Sequence, residues 1–109
     1  MNGYKLLERA ARLLGYEQLD ENLKIIGLEL VSAVAEEMGY MPPKSLSEKP
    51  PFIGDEETRT AIYGLSMLIA NAARDEAALS FSDIYNRRLS ARKNRTERVK
   101  EKLFLGEDL

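Results

Sequence analysis

The chain has no cysteine, no histidine and no tryptophan. Without cysteine there is no disulfide, no thiol nucleophile and no thiolate metal ligand. Without histidine, Ser-His-Asp and Cys-His catalysis and Cys/His zinc sites are excluded as well. Hydrolytic or redox chemistry would have to rest on carboxylates, lysine or tyrosine alone. Aromatic residues are few, five Tyr and three Phe, so the core must come from Leu, Ile, Val, Ala and Met. β-Branched residues are sparse, which argues against a sheet protein. Long apolar runs are also missing. The longest uncharged run, Thr60 to Ala73, has 14 residues and is too short to span a bilayer. The opening stretch MNGYKLLERAARLLGY carries charge throughout its apolar pattern, unlike a signal peptide. Absent disulfides fit a reducing compartment. Together these features predict a soluble, intracellular protein with no membrane partner.

What is present is a helix-forming vocabulary rich in Ala, Leu, Glu, Arg and Lys. With 109 residues, 44% of them apolar, the chain can bury one core and form one domain. Charge is unevenly placed. Residues 1–86 carry 8 basic and 14 acidic side chains, and residues 87–102 carry 8 basic and 2 acidic. The result is an acidic body with a basic arm.

The spacing predicts four helices. The first runs from Gly3 to Leu14, with Tyr4, Leu7, Ala11 and Leu14 as its stripe and Gly15 in the left-handed terminal position. Asp20 caps the second, whose stripe is Leu23, Ile26, Leu30, Val34 and Met38. Ile25, Leu28 and Ala33 widen that stripe, which predicts burial on more than one side, and Gly39 stops the helix. All four prolines then fall as two Pro-Pro pairs in YMPPKSLSEKPPFIG, residues 40–54. Proline lacks an N–H and excludes helix from its predecessor, so this is an extended loop. Its Met41, Leu46, Phe52 and Ile53 predict packing across the bundle; contact with a neighbouring subunit is the alternative. Asp55 caps the third helix, and Glu56 and Glu57 fill a first turn whose dipole favours acids. Its core stripe is Ala61, Ile62, Leu65, Leu68, Ile69 and Ala72. A tight turn at Arg74 to Glu76 returns a fourth helix, with Ala78, Phe81, Ile84, Tyr85 and Leu89 on one face. From Asn94 the apolar pattern thins, which predicts a tail, in part helical. The expected fold is therefore all-α, a four-helix bundle-like domain over residues 1–93 with a flexible basic C-terminal tail over 94–109.

The acidic pairs Glu36–Glu37, Glu56–Glu57 and Asp75–Glu76 are adjacent in sequence, and adjacent helical residues point about 100° apart. They converge on no shared site. No calcium-loop spacing and no Gly-rich phosphate loop is present. The sequence thus predicts no catalytic residue, metal site or cofactor. Tyr85, beside Asn86, reads as a buried tyrosine with its hydroxyl hydrogen-bonded; a tyrosine that contacts a ligand is the alternative.

The stretch IYNRRLSARKNR, Ile84 to Arg95, holds five basic residues and no acid. Such a run suffices for non-specific DNA binding through phosphate neutralisation. However, Arg87, Arg88, Arg92, Lys93 and Arg95 spread round most of a helix circumference, and no helix-turn-helix spacing or aromatic platform accompanies them. A solvated face or a contact with a protein partner is the competing reading. The candidate partner-contact residues are Arg87, Arg88, Arg92, Lys93, Arg95 and Arg98, with Val99, Leu103 and Phe104 as apolar anchors.

One stretch also carries a family pattern. TAIYGLSMLIANAARDEAALSFSDIYNRRLSARK places Ala61, Tyr63, Gly64, Ser66, Met67 and Ala70 ahead of an acidic turn at Asp75–Glu76, then Phe81, Tyr85, Asn86, Arg87 and Arg88 on the returning helix. With the short first helix ending in LLGY, the longer second helix and the Pro-rich loop, this order resembles the phage head–tail connector proteins, small adaptors that sit under the portal ring. The resemblance covers roughly residues 5–93. Ser66 stands where alanine is usual, a small change, and the turn lacks the Gly-Asp step of the pattern. The resemblance implies a helical adaptor without catalysis, from a phage or prophage, that forms a homo-oligomeric ring, typically of twelve copies. Its implied partners are further copies of itself, the portal protein and a head-closure or tail protein, with DNA passing through the bore. Its implied place is the host cytoplasm during virion assembly and then the head–tail junction. The alternative function is a small helical nucleic-acid-binding protein using the basic fourth helix.

Overall fold

The computed structural model describes the backbone from Met1 to Leu105 and the side chains of residues 1–94. It contains four helices and, among the described residues, no strand: α1 (Gly3–Leu13), α2 (Glu21–Glu37), α3 (Gly54–Ala72) and α4 (Ala77–Leu105). α3 is central. α1, α2 and α3 pack on one another in pairs, whereas α4 packs along α3, as the returning arm of an α3–α4 hairpin, and reaches the end of α2 through its Arg92 side chain.

Local chemistry sets the helix ends. The Asn2 side chain accepts a hydrogen bond from the Lys5 N–H, and Asp20 from the Asn22 N–H, so two N-termini carry side-chain caps. α1, α2 and α3 close with the same motif. After α1 the N–H groups of Gly15 and Tyr16 reach the carbonyls of Arg12 and Ala11; after α2 those of Gly39 and Tyr40 reach Glu36 and Ala35; after α3 those of Arg74 and Asp75 reach Asn71 and Ala70. These are paired 5→2 and 6→1 Schellman bonds, and each needs a left-handed residue. Gly15 and Gly39 supply it at φ +83° and +84°, while Arg74 takes it at φ +55° without glycine's freedom. The N-terminus of α3 differs from expectation. The helix begins at Gly54, with Ile53 before it, and no side chain caps it. Asp55 is instead a first-turn acid beside Glu56 and Glu57.

The core centres on Leu6, Leu7, Ala10, Val31, Val34, Ala35, Leu65 and Ile69, all nearly fully buried. In α1 the buried stripe is Leu6, Leu7, Ala10 and Ala11, and the Tyr4 end of the expected stripe is exposed. α2 is buried less widely than expected: Leu28 is half-buried against the core, but Ile25 is 78% exposed and Ala33 is exposed. The reason is topological, because α4 covers α3 and leaves the outer face of α2 open. α3 buries Ala61, Ile62, Leu65 and Ile69 as expected, half-buries Leu68 and exposes Ala72. In α4, Tyr85 and Ala78 are buried and Phe81 and Leu89 half-buried.

The loop between α2 and α3 divides its apolar residues. Leu46 and Phe52 are buried, whereas Met41 is 86% and Ile53 76% exposed. The Leu46 carbonyl accepts the Gly3 N–H at 2.7 Å, and Phe52 meets Tyr40 edge-on with ring centroids 5.5 Å apart. At the other end of the chain, α4 continues as helix to Leu105, eleven residues past the Asn94 where a tail is expected to start. The residues from Asn94 to Leu105 include Arg, Glu, Lys and Leu, all good helix formers, and the first breaker is Gly106. A thin apolar pattern weakens core packing without ending a helix. No helix of the described residues is long and apolar enough to cross a membrane.

Candidate functional site: the hairpin of α3 and α4

The α3–α4 interface has an apolar half and a charged half. In the apolar half the Tyr85 ring lies close against Gly64. A Cβ on Gly64 would stand 2.7 Å from the ring's Cε1 and 2.9 Å from Cζ, so only glycine admits the ring. Tyr63 stacks on Phe81 with centroids 6.2 Å apart. Four of the residues singled out in the sequence thus touch in pairs: Gly64 with Tyr85, and Tyr63 with Phe81. Ser66, the departure from that pattern, is fully buried and its hydroxyl donates to the Ala10 carbonyl at 2.9 Å, tying α3 to α1.

Tyr85 departs from expectation in one respect. It is 1% exposed, as a buried tyrosine should be, but its hydroxyl has no hydrogen-bond partner. The nearby Glu37 carboxylate acts on the phenol as a hydrogen-bonding and charged neighbour, without forming a closed bond to it. Burial first, and Glu37 second, push the Tyr85 pKa well above the usual value.

In the charged half, two arginines of α4 reach the acidic first turn of α3. Arg88 donates from Nε to Thr60 Oγ1 at 2.8 Å and from Nη2 to Glu56 Oε2 at 2.8 Å, and its guanidinium sits 5.5 Å over the Tyr63 ring. Arg92 forms a two-pronged pair with Glu57, Nε to Oε2 at 2.7 Å and Nη2 to Oε1 at 2.8 Å. Its Nη2 also donates to the Met38 carbonyl at the end of α2, at 3.0 Å. Tyr40 donates to Glu57 Oε1 at 2.7 Å. One ion pair thus joins the end of α2, the start of the loop, the first turn of α3 and α4. Its geometry raises the Arg92 pKa, chiefly through the hydrogen bonds to Glu57. Burial, then the bond to Glu57, raises that of Tyr40.

The opposite end of α3 has a matching tie. Tyr16 donates to Asp75 Oδ2 at 2.8 Å, and Asp75 Oδ1 accepts the Ala77 N–H at 2.9 Å as the cap of α4. The Ala77 N–H first, and Tyr16 second, hold the Asp75 carboxyl below its usual pKa, while the bond to Asp75 raises that of Tyr16.

The expected contact residues therefore separate. Arg88 and Arg92 face inward and hold the hairpin. Arg87 is exposed and pairs with Asp83 one turn back at 2.9 Å, and Lys93 is exposed. The side chains of Arg95, Arg98, Val99, Leu103 and Phe104 lie outside the described residues. The sequence does contain a signal for the inward pair: Tyr85, Arg88 and Arg92 follow one another at three- and four-residue spacing, so the arginines continue the buried face. The cleft beside them, about 440 Å³, is lined by Glu56, Glu57, Thr60, Arg88, Ala91, Arg92 and Asn94. Among the described residues no group of three or more acidic side chains is placed to hold a metal ion. Comparison of the chain with protein-family models, curated proteins and solved structures yields no match.

Proposed function

We propose that this chain is a structural subunit of a phage or prophage head–tail connector, assembling as a ring between a portal and the head-closure or tail proteins. The observation that carries the reading is the α3–α4 hairpin. Five residues of the family-like pattern meet there: Gly64 receives Tyr85, Tyr63 stacks on Phe81, and Arg88 lies over Tyr63. A pattern whose members touch one another describes a packing unit, which is what a resemblance to an adaptor family requires. The element order, short helix, long helix, Pro-rich loop and hairpin, supports the same reading. The alternative, a nucleic-acid-binding helix, loses ground because Arg88 and Arg92 already have carboxylate partners within the chain. Their charge is neutralised before a phosphate can use it.

The test is direct. Mixed with the portal ring of the same phage or prophage, the full chain should co-sediment with it and appear as an added ring by negative-stain electron microscopy. An Arg87→Glu/Lys93→Glu variant, altered only at exposed positions, should bind the portal more weakly. Failure to bind the portal, together with micromolar duplex-DNA binding that weakens steeply with salt, would replace this reading with the alternative.

A further inference from the structure

Two almost fully exposed apolar residues sit at one end of the molecule, beside the start of α3. Met41 follows Tyr40 and Ile53 follows Phe52, and the Tyr40 and Phe52 rings touch at 5.5 Å. The Ile53 N–H also acts on the Tyr40 hydroxyl. Met41 and Ile53 therefore flank one aromatic contact, at 86% and 76% exposure. Asp55 follows Ile53 by two residues, in the first turn of α3.

α4 extends past the same end. Arg92 is level with Glu57, three residues inside α3, and the helix runs on for thirteen residues to Leu105. That is about 20 Å at 1.5 Å per residue, beyond the point where α3 can accompany it. By sequence, residues 93–102 hold five cations and two anions, and Val99 and Leu103 are spaced four apart. A second copy can supply what is missing on both sides: apolar residues for the shelf, and acids for the basic helix.

We infer that the Met41–Ile53 shelf receives the C-terminal stretch of α4, residues 95–105, from a second copy of this chain. Charge complementarity selects the occupant. With Arg87, Arg88 and Arg92 paired to acids of their own chain, residues 1–92 hold three more acids than bases and residues 93–102 three more bases than acids, so copies attract head to tail rather than like to like. One face meeting a different face propagates to a ring or an open chain of copies, rather than to a closed pair. The inference specifies the self-contact that the connector reading needs, but its test contains no portal, so either can fail alone.

The absence of cysteine makes the test clean. In the otherwise unaltered full chain, Ile53→Cys/Leu103→Cys should give a ladder of disulfide-linked multimers under mild oxidation, because residue 53 of one copy meets residue 103 of the next. Neither single variant should give a ladder. Met41→Asp/Ile53→Asp should weaken self-association at least tenfold in sedimentation velocity. Both sites are exposed, so its unfolding temperature should match that of the natural chain. Three results would overturn the inference: a disulfide formed only within one chain, Ile53→Cys alone linking to itself as efficiently as the double variant, or self-association unchanged by the two aspartates.

Discussion

Arg87 and Arg92 lie on the same helix five residues apart, and both form an ion pair in the structure. Their removal should nevertheless differ several-fold in cost. Arg87 and Asp83 are 78% and 59% exposed, and their pair links adjacent turns of one helix. Pairs of that kind contribute about 0.3–0.5 kcal/mol. Arg92 and Glu57 are 22% and 21% exposed, and the guanidinium makes three hydrogen bonds that join α4 to α3 and α2. A hydrogen bond to a charged group contributes roughly 1.5–3 kcal/mol, and the three share one side chain and so do not add. Arg92→Ala also strips Glu57 of its facing cation and leaves the Met38 carbonyl without this donor. The expected loss is about 2–3 kcal/mol, a large share of a typical domain's roughly 5–15 kcal/mol. Urea unfolding followed by circular dichroism reads this directly, and the midpoint temperature should fall on the order of 10 °C. Arg92→Lys keeps the charge but loses the two-pronged geometry and should fall between. In 1 M salt the small Arg87 effect should vanish while most of the Arg92 effect persists, because partly buried charges are screened less. Equal costs for Arg87→Ala and Arg92→Ala would refute the assignment of Arg92 as the tie between α4 and the body.

Three further outcomes follow from the tyrosines, the tight glycine and the capping acid. Tyr85→Phe removes a buried hydroxyl that lacks a partner and should leave stability unchanged or raise it by about 1 kcal/mol, whereas Tyr40→Phe breaks its bond to Glu57 and should cost about 1 kcal/mol, both read by urea unfolding. Gly64→Ala should destabilise by about 1–3 kcal/mol despite alanine's better helix propensity, because its Cβ would press on the Tyr85 ring; near-UV circular dichroism should report the displaced ring. Asp75 has its pKa lowered by the fold, so its contribution is complete above the unfolded carboxylate value near 4 and is lost as pH falls through the folded one. Acid titrations of the natural chain and Asp75→Asn should therefore diverge above about pH 4 and converge below it.

Local punctuation was legible in the sequence. Gly15, Gly39 and Asp20 act through their own backbone or a bond two residues away, so a reading along the chain places the ends of α1 and α2 within a residue. The start of α3 was misread for a reason of the same kind: Asp55 is a good capping residue, but Gly54 turns the chain at φ +83° one residue early. The burial of α2 was misread for a different reason. Helical periodicity says which side chains share a face but not which neighbour covers it, and Ile25 stays exposed because α4 takes the other flank of α3. The arginines show the same limit. Their concentration was plain, but Arg88 and Arg92 turn inward because Glu56 and Glu57, 32 and 35 residues earlier, stand opposite them. Acids read only as partners of a helix dipole are also partners of the returning helix.

The two Gly-Tyr pairs show how local and distant signals combine. Gly15–Tyr16 and Gly39–Tyr40 each end a helix, the glycine in the left-handed position and the tyrosine as the next N–H donor. That much is local. The cap also fixes where each tyrosine leaves the helix, and the two hydroxyls then reach acids at opposite ends of α3, Asp75 at its C-terminal turn and Glu57 at its first. Both acids also hold α4, Asp75 by capping its start and Glu57 by gripping Arg92. The hairpin is thus fastened to the α1–α2 layer at both ends by the same device. It follows that a side chain replacing Gly39, whose φ of +84° other residues rarely adopt, should do more than fray α2: by shifting Tyr40 it should loosen Glu57 and with it the Arg92 end of α4. Hydrogen exchange of Gly39→Val should therefore rise around residues 88–92 as well as at 36–40. A rise confined to the end of α2 would mean that the cap and the hairpin are independent.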